Sequence, residues 1–301
     1  HPKFLSPEAV QKLNVRAGET RGRIYRISAK DQICQPVPDL KQLPTQELTQ
    51  LLNSANGTLR DMVQQELILR GDKKAVPSLS KLASDGALPQ SRLQALCTLD
   101  GLQALTPDVL LPRINEQDPG VRRESLRLAE PFLKQSEKLA NAVLERVNQE
   151  RELPVQLQLA YTLGYLKKDE ATNALLQLLE QHSENVYLRS AVLTSFKPAR
   201  LSPALVRLLP RIEANPQLLP MFHSLLDMAV AIRDPGLLKQ VSTALSEHIV
   251  RKQKSEAWEW LALTQLTEAM PGRDKSSLEK QGLQWKQLIS LACRQISETK
   301  Q

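Results

Sequence analysis

The sequence predicts an all-α fold, in which about seven helix pairs stack into a curved solenoid. Aromatic residues make up only 4% of the 301 residues and there are only 11 glycines, so good helix formers dominate the composition. From Thr45 onward the apolar residues recur with a period of about 3.6, as on one face of a helix. One position also recurs every 30–34 residues along the chain, which is typical of stacked helical repeats.

The first residues differ from the rest of the chain. Ser6 followed by Pro7 predicts a helix cap and a short helical turn. Residues 23–27 alternate charged and apolar side chains, which predicts one strand, and the prolines within 31–44 predict a linker. We therefore assign 1–38 to an N-terminal segment, the end of an upstream domain plus a linker, and 39–301 to the solenoid. The first residues resemble neither a signal peptide nor a natural start, so we expect the chain to begin inside a longer protein or after processing.

After the linker, every predicted element is a helix. Breaks between the helices carry turn signals such as Gly71-Asp72 and Pro271-Gly272, which end helices efficiently. In chain order, the predicted helices cover about 45–53, 57–70, 75–84, 89–103, 106–115, 119–133, 137–148, 153–166, 170–181, 186–196, 202–213, 216–231, 235–250, 256–270 and 276–298.

The recurring position identifies the repeat. Successive members are 32, 30, 34 and 33 residues apart, and four of the five are arginines: Arg60, Arg92, Arg122, Gln156 and Arg189. Four residues earlier stand short or acidic side chains suited to capping a helix N-terminus, namely Asn56, Asp118, Glu152 and Asn185. We predict that the arginines bond to caps and carbonyls within and between repeats. The alternative is that the arginine column recognises an acidic partner.

Two tryptophans near the C-terminal end form a second candidate site. Trp258 and Trp260 are two positions apart and so cannot share a helix face. We expect one to pack inward and the other to lie near the surface or at the end of the solenoid. Packing of the solenoid end is the first interpretation, and an aromatic anchor for a partner is the alternative.

The charge distribution argues against a nucleic-acid groove. The net charge is +7, but residues 1–30 carry +5 (seven Lys/Arg, two Glu) and residues 251–301 carry +3 (nine Lys/Arg, six Asp/Glu). The long middle is thus 7 − 5 − 3 = −1, where a solenoid that binds nucleic acid would need a basic stripe. The chain has no apolar run of about 18 residues either, so we expect no membrane span.

No cluster of side chains predicts catalysis, a cofactor or a metal. The three cysteines are isolated, and we expect Cys97 and Cys293 on buried helix faces; for Cys34 the sequence indicates no role. His223 and Asp227 share a helix face, but no third metal ligand accompanies them. His182 and His248 lie near predicted helix C-termini, where a cation is favoured. We therefore assign no catalytic, cofactor-binding or metal-binding residues.

Asp118-Pro119-Gly120-Val121-Arg122 resembles the D-x-x-V-R signature of HEAT repeats. The first 135 residues or so, notably Gly22-Arg23-Ile24-Tyr25-Arg26-Ile27 and Asn56-Gly57-x-x-Arg60-Asp61, are similar to a segment of large multidomain proteins from planctomycetes and their relatives. Those proteins join a sugar-dehydrogenase-like β-propeller, a HEAT region and a cytochrome c-type domain with CxxCH. The resemblance implies that the chain is the middle piece of an exported, periplasmic redox protein, and that its strand closes the propeller. Neither the propeller nor the CxxCH is present in this sequence.

These observations together predict a non-catalytic scaffold. We expect the solenoid to hold flanking domains apart and to offer its concave surface to a protein partner. One alternative is an accessory domain that completes the substrate site of a sugar-dehydrogenase-like oxidoreductase. The other is a nucleic-acid-binding HEAT-like protein, which rests only on the isoelectric point near 9.3.

Overall fold

A computed structural model describes residues 6–12, 22, 27, 29–31, 36, 38–166, 169–182, 184–270 and 283–299. The chain divides into two compact units, His1–Asp39 and Leu40–Gln301. The first contains helix α1, Pro7–Lys12, whose start is capped by the Ser6 hydroxyl as the sequence predicts; this hydroxyl accepts a hydrogen bond from the Ala9 N–H (3.3 Å). The predicted strand lies outside the described residues except for Ile27, and no described residue belongs to a strand.

The second unit is helical throughout its described part. Four short 3₁₀ segments, at Lys73–Ala75, Leu111–Asn115, Glu130–Phe132 and Pro216–Leu218, adjoin its α-helices. The α-helices are α2 (Thr45–Leu51), α3 (Gly57–Arg70), α4 (Val76–Asp85), α5 (Pro89–Gly101), α6 (Pro107–Leu110), α7 (Pro119–Ala129), α8 (Glu137–Gln149), α9 (Leu153–Leu163), α10 (Glu170–Gln181), α11 (Val186–Ser195), α12 (Pro198–Ala214), α13 (Leu219–Ile232), α14 (Pro235–Lys252), α15 (Ala257–Ala269) and α16 (Trp285–Thr299).

The helices of this unit pack in two layers. In the A layer each even-numbered helix from α2 to α16 contacts the next even-numbered one, with α6 continued by its 3₁₀ segment. In the B layer α3, α5, α7, α9, α11, α13 and α15 contact one another in the same order. Each A helix also contacts the B helix that follows it, so the described residues form seven stacked pairs and an eighth A helix. The second unit is an α-solenoid. None of its described helices is long and apolar enough to cross a membrane.

A continuous apolar core lies between the layers. Buried side chains, mostly leucine, valine and alanine, follow one another from Leu40 to Leu291 without a break between pairs. Each pair buries only part of its apolar surface internally, and its neighbours cover the remainder. Local chemistry places the helix starts: Asn56, Asp118, Asn185 and Asp234 each cap their helix by accepting a backbone N–H three residues on, which stabilises the first turn.

Several predicted boundaries are wrong, and proline explains two of them. The helix predicted at 106–115 is α6 plus a 3₁₀ segment, because Pro112 cannot donate to the helix ladder. The helix predicted to begin at 202 begins at Pro198, since proline suits the first turn; Pro203 then lies inside that helix. The helix predicted at 276–298 is described only from Trp285 onward.

Candidate functional site

The recurring arginine position has the same place in every B helix. Arg60, Arg92, Arg122, Gln156 and Arg189 are each the fourth residue after the N-cap of α3, α5, α7, α9 and α11 respectively. The same count places Phe222 and Trp260 there in α13 and α15. The position therefore runs through all seven pairs, but it changes from polar to aromatic in the last two.

Arg122 has the most complete set of contacts. Its Nη1 donates to the backbone carbonyls of Glu116 (2.9 Å) and Gln117 (2.8 Å) in its own pair. Its Nε and Nη2 donate to the two carboxylate oxygens of Glu150, at 2.8 and 3.0 Å. Glu150 lies in the turn between α8 and α9, so this two-pronged ion pair joins the third helix pair to the fourth. Arg122 is only 7% exposed and its neighbour Arg123 is exposed.

The Glu150 carboxylate is fully enclosed by donors. Besides Arg122, it accepts hydrogen bonds from Arg146 Nε (2.9 Å) and from the backbone N–H groups of Arg151 (3.0 Å) and Glu152 (2.9 Å). Burial by itself raises the pKa of this carboxyl group, but the hydrogen bonds from Arg122, Glu152, Arg146 and Arg151 outweigh burial and lower the pKa to about 2. Charge-assisted bonds of this kind are stronger than neutral ones, so the carboxylate stays ionised.

The preceding pairs repeat this arrangement. Arg92 Nη1 donates to the Gly86 carbonyl (2.7 Å), and its Nη2 donates to Glu116 Oε1 (3.3 Å) in the turn of the next pair. Arg113 donates to the other oxygen of Glu116 (2.9 Å), as Arg146 does for Glu150. We call the set Arg92, Glu116, Arg122, Glu150 and Gln156 the inter-repeat ladder. The carboxylate of each glutamate accepts a hydrogen bond from the arginine of the previous pair. Its backbone carbonyl accepts one from the ladder residue of its own pair.

The ladder weakens at both ends. Arg60 reaches its own turn through the Ser54 carbonyl (2.7 Å), but the next pair has Gly86 where a glutamate would stand. Arg60 Nε points instead to Gln94 Oε1 (3.4 Å). Arg189, also predicted to be part of the ladder, has no side-chain hydrogen bond or ion pair to the residues that the structure describes. The ladder itself therefore links pairs two to four. Ion pairs of other residues join later pairs, such as those of Arg211 with Glu180 and of Lys252 with Glu213.

The sequence analysis missed the acidic half of the ladder. Glu116 and Glu150 are 34 residues apart, the same spacing that separates Arg122 from Gln156. Each stands two residues before the N-cap of the following B helix. That shared spacing was a signal in the sequence, although a glutamate in a turn is usually a solvated side chain.

The two tryptophans pack against the end of the solenoid. The Trp258 ring meets Phe222 edge to face, with the centroids 5.3 Å apart, and so links α15 to α13. Trp260 donates its indole N–H to the Ser255 hydroxyl (2.7 Å). Both side chains are half-buried against the core. Neither tryptophan is fully buried, and both lie on α15, the last B helix of the described solenoid.

A groove of about 660 Å³ opens where α7, α9 and α11 end. Glu130, Tyr161 and Tyr165 are among the residues that line it. Gln158 Nε2 and Thr162 Oγ1 donate to Glu130 Oε1, at 2.9 and 3.1 Å. Burial raises the pKa of Glu130 even though these donors oppose the effect. No motif in the sequence pointed to this groove, because its residues come from three separate helix pairs.

The two cysteines in the described residues, Cys97 and Cys293, are both free thiols. Cys97 is half-buried, and burial together with the nearby Glu124 carboxylate raises its thiol pKa to about 12, so the reactive thiolate is scarce at neutral pH. Cys293, expected on a buried face, is instead exposed on α16. Cys34 lies outside the described residues.

The histidines differ in their surroundings. His182 is the C-cap residue of α10, as the sequence predicts. His248 is not a helix-end cation: it is 3% exposed, and burial lowers its pKa although Glu213 and Glu259 face it. His223 is half-buried and Asp227 is exposed. No group of three metal-binding side chains occurs in the part of the chain that the structure covers.

Comparison with known proteins gives no match: no protein-family model, curated protein or solved structure is significantly similar to this chain.

Proposed function

We propose that this chain is a HEAT-type repeat scaffold, which holds neighbouring domains of a longer protein at a fixed spacing and binds a protein partner. The observation that carries the proposal is the inter-repeat ladder. In it Arg92 bonds to Glu116, and Arg122 bonds to Glu150, across successive helix pairs. The resemblance to HEAT repeats rests on the sequence Asp118-x-x-Val121-Arg122. In the structure this arginine links one repeat to the next.

The ladder supports a spacer because it opposes bending between pairs. In a stacked array each pair contacts only its neighbours, so stiffness depends on the nearest-neighbour interfaces. A buried two-pronged ion pair fixes both distance and angle at such an interface, whereas leucine packing alone tolerates sliding. The ladder thus stiffens pairs two to four of the proposed spacer.

The side chains on the B layer support the binding role. Tyr187 on α11 is 75% exposed, and Tyr161 and Tyr165 beside the groove are each 46% exposed. Exposed tyrosines are enriched in protein interfaces, since the ring gives area and the hydroxyl gives a hydrogen bond. We place the partner on this layer. The resemblance to exported multidomain redox proteins suggests that the partner is a flanking domain of the same polypeptide.

Site-specific photocrosslinking in cells that produce the protein tests the binding role. A photoreactive phenylalanine analogue replaces Tyr187 in the B layer, and in the matched control it replaces Glu145, which is exposed on α8 in the A layer. We expect one discrete crosslink from position 187, either within the same polypeptide or to a second protein, and none from position 145; peptide mapping by mass spectrometry detects both kinds. Crosslinks of equal yield from both positions, or none from either, would contradict the proposal.

The spacer role has a separate test. Reading the gene on both sides of the present sequence would show the domains that it separates. A β-propeller sequence before residue 1 and a CxxCH sequence after residue 301 would support the proposal. A gene that encodes no further domain on either side would refute it.

A further inference from the structure

The groove at the end of α7 contains a carboxylate that forms no ion pair within the described part of the chain. Glu130 follows the last residue of α7 and is half-buried. Its hydrogen-bond partners, Gln158, Thr162 and Tyr165, are neutral. No lysine or arginine among the described residues is within ion-pair distance of it, and Arg127 attracts it only at longer range. Partly buried carboxylates are normally paired with a cation, since burial penalises the charged form, and the negative end of the α7 dipole adds to this cost.

The cations nearest to the groove are engaged elsewhere. Arg127, on the groove wall, directs its Nε to Glu124 Oε1 at 2.8 Å, and its Nη2 also pairs with Glu124. Lys197, which also lines the groove, lies over the ring of Tyr165, with its Nζ 5.8 Å from the ring centroid. The ammonium group of Lys197 therefore interacts with a tyrosine ring of this groove and does not form an ion pair with Glu130.

Small residues line the α11 side of the groove. Gly164 lies against α11 so closely that a Cβ there would come within 3.2 Å of the Ser195 Cβ, so the glycine lets the two helix ends approach each other. Thr194 and Ser195 complete the lining on that side. The space for an incoming side chain is the groove itself, about 660 Å³, which Glu130, Tyr161 and Tyr165 also line.

We infer that this groove binds an arginine side chain of the protein partner, with the guanidinium stacked on Tyr161 and paired with the Glu130 carboxylate. Arginine fits better than lysine because its planar group stacks on an aromatic ring while it donates two parallel hydrogen bonds to a carboxylate. Tyr161 is the free ring, since Lys197 already lies over Tyr165. This inference rests on the proposed binding role and specifies the chemistry of the partner.

Nuclear magnetic resonance titration of the full chain with a blocked peptide, acetyl-Gly-Arg-Gly-amide, tests it. The control probe has citrulline, which keeps the shape of arginine without its charge. We expect the arginine peptide to shift the signals of Gln158 and Tyr161. The citrulline peptide should bind the wild type at least about tenfold more weakly than the arginine peptide does, because the charge-assisted pair is lost. The arginine peptide should bind the Glu130→Gln variant more weakly by a similar factor.

Two further variants separate the site from general effects of charge and folding. Glu145→Gln removes the same charge from exposed surface on α8 and should bind like the wild type. Tyr161→Ala keeps Glu130 but removes the ring, and it should weaken binding several-fold with an unchanged circular dichroism spectrum. Affinity should also fall as the pH is lowered through the raised pKa of Glu130.

Equal binding of the arginine and citrulline peptides, or wild-type affinity in Glu130→Gln, would overturn the inference. Such a result would leave the binding role intact if position 187 still forms its crosslink. Loss of that crosslink together with normal arginine binding would instead overturn the proposed function and leave the arginine site standing.

Discussion

The Arg122 guanidinium and the Glu150 carboxylate meet through two hydrogen bonds, of 2.8 and 3.0 Å, across the boundary between the third and fourth helix pairs. The two residues are 28 positions apart in the chain, and both are buried. Arg122 also donates to the backbone carbonyl of Glu116, whose side chain accepts from Arg92. One side chain therefore joins its own turn to the next repeat, and the two contacts can be tested separately.

Replacing Arg122 with alanine should destabilise the protein, whereas replacing Arg123 should not. Arg122→Ala removes two of the donors to the buried Glu150 carboxylate. It also leaves the Glu116 and Gln117 carbonyls without their side-chain donor, and the losses together should cost about 2–3 kcal/mol. Arg123→Ala removes the same charge from an exposed position and should cost no more than about 0.5 kcal/mol. Urea unfolding of both variants measures the difference. Equal losses would show that the ladder position is wrongly assigned.

The stability of the wild type should depend on Glu150 at low pH. The folded-state pKa is about 2, against an ordinary value of 4.5, so the unfolded state binds the proton more readily. The contribution of Glu150 is thus present in full above about pH 5 and is lost as the pH falls toward 2. At neutral pH it amounts to at most about 3 kcal/mol.

The variant Glu150→Gln isolates this contribution. Its stability should be lower than that of the wild type at pH 7, and the gap between the two should narrow as the pH falls from about 5 toward 2. Glu145→Gln, on the exposed side of α8, is the matched control and should follow the wild-type curve. A gap between Glu150→Gln and the wild type that stays constant from pH 7 to pH 3 would be inconsistent with the lowered pKa.

His248, on α14 near the C-terminal end of the solenoid, should make the stability depend on pH in a second range. Burial lowers its pKa, while Glu213 and Glu259 raise it and Lys252 and Arg251 lower it. Since the folded state binds the proton less readily than the unfolded state, stability should fall as the pH drops below about 6.5. In urea melts between pH 7.5 and 5.5, His248→Gln should reduce this slope, and the control His182→Gln should keep it. A slope unchanged in His248→Gln would mean that another group causes it.

Trp258 should contribute more to stability than its half-exposed position suggests. Its ring packs edge to face against Phe222, which is fully buried, and so it joins the last two B helices. Trp258→Ala should cost about 2–3 kcal/mol, somewhat less than a fully buried tryptophan. Leu261→Ala on the same helix removes a 56% exposed side chain and should cost under about 1 kcal/mol. Thermal unfolding compares them, and similar losses would indicate that Trp258 does not pack as described.

The helices could be predicted from the sequence because their signals are local. Asn56, Asp118 and Asn185 cap helices where the sequence placed them, since a cap depends on residues three positions away. The wrong prediction of one continuous helix at 106–115 also has a local cause. The prediction followed the apolar periodicity, but Pro112 lacks the N–H that an α-helix needs there.

The contacts between repeats could be predicted only in part. The arginine column was visible as a spacing, but the partner of each arginine was not, because Glu150 is 28 residues from Arg122 and its burial depends on how the pairs stack. Glu130 was invisible for the same reason, since its neighbours belong to three helix pairs. Tertiary packing, and no local pattern, brings these groups together.

A double-mutant cycle on Arg122 and Glu150 tests most directly whether the ladder couples neighbouring repeats. The free energy of unfolding is measured for the wild type, Arg122→Ala, Glu150→Ala and the double variant. If the two side chains stabilise the interface by contacting each other, the double variant should lose less than the sum of the single losses, by at least about 1.5 kcal/mol. Additive losses, within about 0.5 kcal/mol, would contradict the ladder as the link between repeats.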